Sequence, residues 1–153
     1  MDADEARAGL TGGCQCGAVR YRLEAAPSRA NVCHCRMCQK AGGAPFMAFA
    51  DLPLAALHWT RGAPKTFVSS AIAERGFCAD CGTPLTYRPL DREEIGVTIA
   101  SLDHPAAVAP TIQFGVESKI AWLDGVLALP TRDLNDWIDP AALGNRQHPD
   151  HET

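Results

Sequence analysis

The sequence has no run of basic residues. Its 14 Lys and Arg are scattered among 18 Asp and Glu, for a net charge of −4, which argues against a surface built for nucleic acid or for an anionic membrane. It also lacks an apolar stretch of membrane-spanning length, since the longest candidates are broken by Pro, Asp or Gly. The first ten residues, "MDADEARAGL", are acidic and contain no apolar signal core, so no secretory signal is expected. No repeat, linker or composition shift marks a second domain. With 46% hydrophobic and 21% charged residues the composition is that of a globular chain, and 153 residues suffice to bury a core. These absences predict a soluble, cytoplasmic protein with neither nucleic acid nor membrane as partner.

Cysteine is not lacking. There are seven, and all lie in tight clusters: Cys14 and Cys16; Cys33, Cys35 and Cys38; Cys78 and Cys81. An odd number cannot pair fully as disulfides, and thiols in a reducing compartment point to metal or catalysis. Cysteines that serve as small buried hydrophobes scatter along a chain, whereas these do not.

Short strands separated by turn residues dominate the remaining pattern, so the fold class is mainly β. In "AVRYRLEA" (18–25), Val19, Tyr21 and Leu23 alternate with Arg20, Arg22 and Glu24, the mark of a half-buried strand. "APFMAFAD", "PKTFVSS", "ERGFC", "LTYR" and "EEIGVTIAS" read as further strands, and "DLPLAALHW" holds a helical turn. "QKAGG" after Cys38 fits one or two helical turns stopped by Gly42 and Gly43. "ESKIAWLDG" and "TRDLNDWI" fit either helix or irregular structure. The polar end "DPAALGNRQHPDHET" reads as a flexible tail over 139–153, and residues 1–10 as a flexible N-terminus.

Keeping neighbouring cysteines together divides the seven into four and three. "CADCG" and "GGCQCG" each supply two thiolates flanked by glycines that let backbone approach a metal, so Cys14, Cys16, Cys78 and Cys81 form a closed, structural four-thiolate site. Other partitions exist on paper, because Cys35 and Cys38 also form a C-x-x-C pair, but they strand Cys33 or the pair at Cys14 and Cys16. Cys33, Cys35 and Cys38 are then left with no fourth cysteine. His34 lies between two ligands, and in an extended segment its side chain points away from them. His58 and His104 read as surface or packing residues, and His148 and His151 fall in the tail. Water or substrate is therefore the better fourth ligand. Three thiolates outweigh a dication by about one charge, so such a zinc is a weak activator of water and a good acceptor for a substrate thiolate. Arg36 and Lys40 stand near enough in sequence to attract an acidic thiol. Phe46, Phe49 and Phe67 are candidates for a pocket wall, and His34, Asp103 and Glu117 for a general base, with none favoured by spacing.

The segments "GGCQCGAVRY", "CHCRMCQKAGGAPF", "GFCADCGTPLTYR", "GVTIASLDHP" and "GVESKIAWL" resemble, in order, the motifs of the glutathione-dependent formaldehyde-activating enzyme family, which also includes centromere protein V. The resemblance implies one zinc-binding domain over 11–138 with a β-tent-like fold, two small antiparallel sheets joined at a structural zinc. It implies two Zn²⁺ per chain: a structural one on Cys14, Cys16, Cys78 and Cys81, and a catalytic one on Cys33, Cys35 and Cys38. The implied activity is that of a carbon–sulfur lyase joining glutathione and formaldehyde to S-(hydroxymethyl)glutathione. The chain departs from the family pattern after Pro110: many members carry a histidine and an aromatic pair before "ESK", where this chain reads "TIQFGVESK", with Gln113 and Gly115. The alternative from another class is a non-catalytic two-zinc module whose vacancy binds a partner protein or thiol.

Overall fold

A computed structural model describes residues 8–153, so most of the N-terminal stretch 1–10 lies outside the described residues. Among the described residues, ten strands form two sheets: β1 (Thr11–Gly13), β2 (Arg20–Leu23), β3 (Arg29–Cys33), β4 (Met47–Pro53), β5 (Leu57–Arg61), β6 (Lys65–Ser70), β7 (Ala73–Phe77), β8 (Pro84–Pro89), β9 (Glu94–Thr98) and β10 (Ile112–Phe114). The smaller sheet runs β1-β2-β5 and the larger β10-β3-β4-β9-β8-β7-β6. The mainly β, two-sheet expectation holds, with two differences. The larger sheet has seven strands, and its edge strand β10 pairs with β3 in parallel. Three-residue edge strands such as β1 and β10 are too short for a periodic signal, so their register comes from tertiary pairing.

The core lies between the sheets. Tyr21 and Leu23 of β2 meet Ala50 and Leu52 of β4, Ile95 and Val97 of β9, and Leu85. The alternation in 18–25 therefore holds for its apolar half, while Arg20, expected to face outward, is buried. Its guanidinium makes a two-pronged pair with Asp103, at 2.8 and 2.6 Å, and Thr11 donates to the same carboxylate. Tyr21 and Ser101 share a 2.8 Å hydrogen bond beside it. Together these contacts tie the small sheet to the turn after β9.

The helices are short. The longer α-helix, α1 (Arg36–Gly42), is capped at its start by Cys35 and ended by Gly43 in the left-handed conformation, with φ 59°. "ESKIAWLDG" and "TRDLNDWI" resolve into 3-10 turns at Val116–Ser118, Ala121–Ala128 and Leu134–Asp136. The end of the chain returns to the small sheet: the His148 N–H donates to the Gln15 carbonyl at 2.7 Å, Arg20 to the His151 carbonyl at 3.0 Å, and Arg22 pairs with Glu152. Among the described residues, no helix is long and apolar enough to cross a membrane.

Antiparallel register places side chains of paired residues on one face. Phe114, Cys33, Asn31 and Phe49 share a face of the large sheet, as do Arg29, Asp51, Gly96, Tyr87 and Arg75 in a row across five strands. That face points away from the core and carries the site described next.

Candidate metal centres

The fold gathers the seven cysteines into two groups, Cys14, Cys16, Cys78 and Cys81, and Cys33, Cys35 and Cys38; in each, all sulfurs lie within 4.8 Å of one another. The division into four and three expected from neighbour spacing is the one observed.

The four-sulfur group lies between the sheets. Cys14 and Cys16 follow β1, and Cys78 and Cys81 follow β7. The Sγ of Cys16 stands 3.6 Å from that of Cys14 and 3.8 Å from that of Cys78. A tetrahedral zinc with Zn–S bonds of about 2.3 Å has S···S edges of about 3.8 Å, so this group fits the ion. Backbone geometry supports the sulfurs: Val19 N–H donates to Cys14 Sγ at 3.2 Å, and Gly82, directly after Cys81, takes the left-handed conformation, φ 80°, and closes the turn by donating to the Cys78 carbonyl. Burial raises the Cys81 thiol, but hydrogen bonds from the Thr83 hydroxyl and nearby backbone outweigh it and bring the thiol down to about 6.

The three-sulfur group is built by the end of β3 and the start of α1. Cys33 closes the strand, Cys35 caps the helix, and Cys38 sits in its first turn, where its N–H donates to Cys35 Sγ at 3.4 Å. Cys38 is buried, and Cys33 and Cys35 are half-buried. All three line a cavity of about 270 Å³ on the outer face of the large sheet. Soft donors grouped in threes beside an open volume suit a thiophilic ion with room for one further ligand.

Arg75 completes this group, and sequence reasoning missed it. Buried on β7, it donates from Nη2 to Cys38 Sγ at 3.3 Å and from Nε to Ser69 Oγ at 2.9 Å, with its guanidinium 5.0 Å from the Tyr87 ring centre. The Cys33 thiol is held down to about 5, first by its hydrogen bond with Cys38 and further by backbone contacts and the Arg75 charge, against the burial that raises it. Cys38 is pushed the other way by the same bond and by burial. A single proton shared between these two thiols accounts for both directions.

The loop after β10 also approaches the trio. Gly115 has φ 65°, and a Cβ there would stand 2.7 Å from the Cys35 nitrogen. Only glycine permits both the turn and the contact. Gln39, another residue missed, is buried and donates to the carbonyls of His34 at 2.6 Å and Ser118 at 3.0 Å, joining helix and loop. His34 itself points away from the sulfurs, as expected. It is buried against Phe46, and its Nε2 is 2.9 Å from Gln113 Oε1.

Of the aromatic wall candidates only Phe49 lines the cavity; Phe46 packs on His34, and Phe67 meets Phe77 edge to face. Tyr87 and Phe114 supply the other aromatic walls. None of the three general-base candidates lines it: His34 is held by Gln113, Asp103 by Arg20, and Glu117 is exposed. Arg36 bonds Gln39, and neither it nor Lys40 reaches the cavity.

A family model described as "Glutathione-dependent formaldehyde-activating enzyme" matches residues 9–118. An uncharacterized lyase of Schizosaccharomyces pombe (strain 972 / ATCC 24843) is 33% identical over 76 residues, which cover 50% of this chain and 55% of the relative. The chain thus spans about half the length of the curated relative it matches. A crystal structure of a Rhodobacter sphaeroides protein is 26% identical with a TM-score of 0.55, covering 67% of this chain and 98% of that one. The chain belongs to the glutathione-dependent formaldehyde-activating enzyme family, the family its motifs resemble.

Proposed function

We propose that Cys33, Cys35 and Cys38 hold a zinc ion at the end of the cavity, where a small glutathione-like thiol binds and is added reversibly to formaldehyde or a similar small carbonyl. In this reading the protein is a carbon–sulfur lyase of the S-(hydroxymethyl)glutathione synthase type. Cys14, Cys16, Cys78 and Cys81 hold a second, structural zinc, and the zinc-binding unit spans residues 11–138. The observation that carries the reading is the contrast between the groups: four sulfurs of the chain lie within reach of a single ion, while three face a cavity. Family membership and the lyase name of the yeast relative support it.

When bound, zinc supplies a soft Lewis acid that favours the deprotonated form of a thiol. The chain's residues do the rest. Three thiolates around a dication carry about −1, which the Arg75 guanidinium at 3.3 Å from Cys38 Sγ offsets. Phe49, Phe114 and Tyr87 exclude water and keep a small carbonyl beside the sulfur, so that proximity provides most of the acceleration. The S–C bond forms as the carbonyl π bond opens, and the proton given up by the thiol ends on the new hydroxyl. Burial raises the Tyr87 phenol above its ordinary value, so it stays protonated at neutral pH as a hydrogen-bond donor for that oxygen.

The test pairs metal analysis with a glutathione titration and a turnover assay using glutathione and formaldehyde. Two zinc ions per chain are expected, one of which responds to glutathione, with turnover abolished in a folded Cys35→Ala variant. One zinc at saturation, or full turnover without Cys35, would overturn the reading. Capture of a partner with no turnover would instead favour the non-catalytic module.

A further inference from the structure

The cavity has a second end. Four residues before Cys33, on the same face of β3, stands Arg29, whose register partner on β4 is Asp51. Arg29 Nε donates to Asp51 Oδ2 at 2.7 Å, and Asn31 Nδ2 donates to that same oxygen at 3.0 Å. The pair is single-pronged, although arginine and carboxylate favour two parallel bonds. Among the described residues, Arg29's two terminal nitrogens and Asp51 Oδ1 have no hydrogen-bond partner. Asp51 is nonetheless largely covered, its side chain 14% exposed.

Gly96 leaves space beside the free oxygen. It is the β9 partner of Asp51, and a Cβ there would stand 2.7 Å from Oδ1. Phe114 flanks the Arg29 guanidinium, its ring centre 5.9 Å away, at the cavity rim. The ion pair therefore presents two free N–H donor groups beside one free carboxylate oxygen, all lining the cavity that holds the trio. A donor fork next to a lone anionic acceptor complements a carboxylate next to an ammonium.

We propose that Arg29 and Asp51 receive the zwitterionic α-amino-acid head of the thiol substrate, its carboxylate on Arg29 and its ammonium on Asp51 Oδ1. The substrate then lies lengthwise along β3 with its sulfur at the cysteine trio. This rests on the thiol-binding reading above and adds to it which end of the substrate goes where. Cα atoms four residues apart on a strand are roughly 13 Å distant. Free cysteine, whose amino and carboxyl groups sit beside its sulfur, is too short to bridge the two ends. A thiol whose amino-acid head is displaced by one further γ-linked residue has the reach.

The experiment is calorimetric titration of the zinc-loaded full chain with glutathione, N-acetylglutathione and cysteine. N-acetylation removes the ammonium and leaves the thiol and both carboxylates. The wild type should bind glutathione about tenfold or more tightly than either other thiol, the worth of one charge-assisted hydrogen bond. Asp51→Asn should erase the preference over N-acetylglutathione while leaving affinity for N-acetylglutathione nearly unchanged. Gly96→Ala, which sets a methyl group against Oδ1, should reduce the same preference in a second way. Equal affinity of the wild type for glutathione and its N-acetyl form would overturn the proposal. So would an Asp51→Asn variant that weakens both thiols alike, since the pair would then be structural. Absence of heat with every thiol overturns the thiol-binding reading itself, and this proposal with it.

Discussion

Replacing Arg75 by methionine tests the electrostatics of the trio most directly. Methionine preserves much of the side chain's length and bulk, and removes only the charged fork. At the observed 3.3 Å between Nη2 and Cys38 Sγ, two unit charges in an effective dielectric of 20 attract by about 5 kcal/mol. Desolvating the guanidinium takes back part of that, and hydrogen bonds to charged groups net about 1.5–3 kcal/mol. Affinity of the trio for zinc should therefore fall about 10- to 100-fold. Competition against a colorimetric chelator reads this directly. Release from the trio should become faster and more complete, while release from Cys14, Cys16, Cys78 and Cys81 is unchanged. Arg75→Lys, which keeps the charge without the fork, should fall between. The pH dependence has a definite sign. Arg75 favours the deprotonated thiols, so its loss raises their proton affinity, and the defect should be larger near pH 6 than near pH 8. If Arg75→Met leaves trio affinity at the wild-type level at both pH values, the charge-compensation argument is wrong.

Other perturbations probe separate parts of the same frame. When chelator has stripped only the trio, alkylation at about pH 6 followed by peptide mapping should label Cys33 first of the three, because its thiol lies near 5, and Cys38 last; Cys38 reacting first would contradict the shared-proton description. Gly115→Ala must take φ 65° with its methyl 2.7 Å from the Cys35 nitrogen, so trio affinity for zinc should drop while the four-cysteine site is unaffected, and an unchanged trio would show that the loop is free to move. Asp103→Ala leaves Arg20 buried without its partner and should cost about 3–5 kcal/mol in a urea melt. In the wild type, Asp103 is held below its ordinary 3.8 by Arg20 and Thr11 against the burial that raises it, so its contribution is fully present above 3.8 and is lost as pH falls further, through the lowered value of the folded state; a melt indifferent to Asp103→Ala would refute the role given to this pair. Cys78→Ser should release the staple that joins residues 62 apart, a loss of about 4 kcal/mol from chain entropy alone, and a variant melting like the wild type would show that no ion is held there.

What was legible in the sequence is what chemistry keeps local. Ligands of one metal cluster come in close pairs because a short loop between them closes at little entropic cost, and Cys33, Cys35 and Cys38 declare themselves for that reason. Arg75, Gln39, Arg29 and Asp51 carry no such signal. Arg75 reaches Cys38 across 37 residues, and Arg29 meets Asp51 through a strand pairing 22 residues apart. Strand register alone sets Arg75, Arg29 and Asp51 on the outer face of the large sheet, and Gln39 meets its partners only where helix and loop come together. Arg20 shows how alternation misleads in the same way: period two marks it as solvent-facing, and a carboxylate 83 residues later turns its side of the strand into interior. The unread part of the site is thus the sheet itself. Arg29, Asp51 and Arg75 lie on strands outside the motif segments, whereas Tyr87 and Gly96, which complete the row, fall within them. In the proposed reading, exchanging Arg29 or Asp51, which make no hydrogen bond to a cysteine, should move thiol preference while both cysteine groups keep their ions.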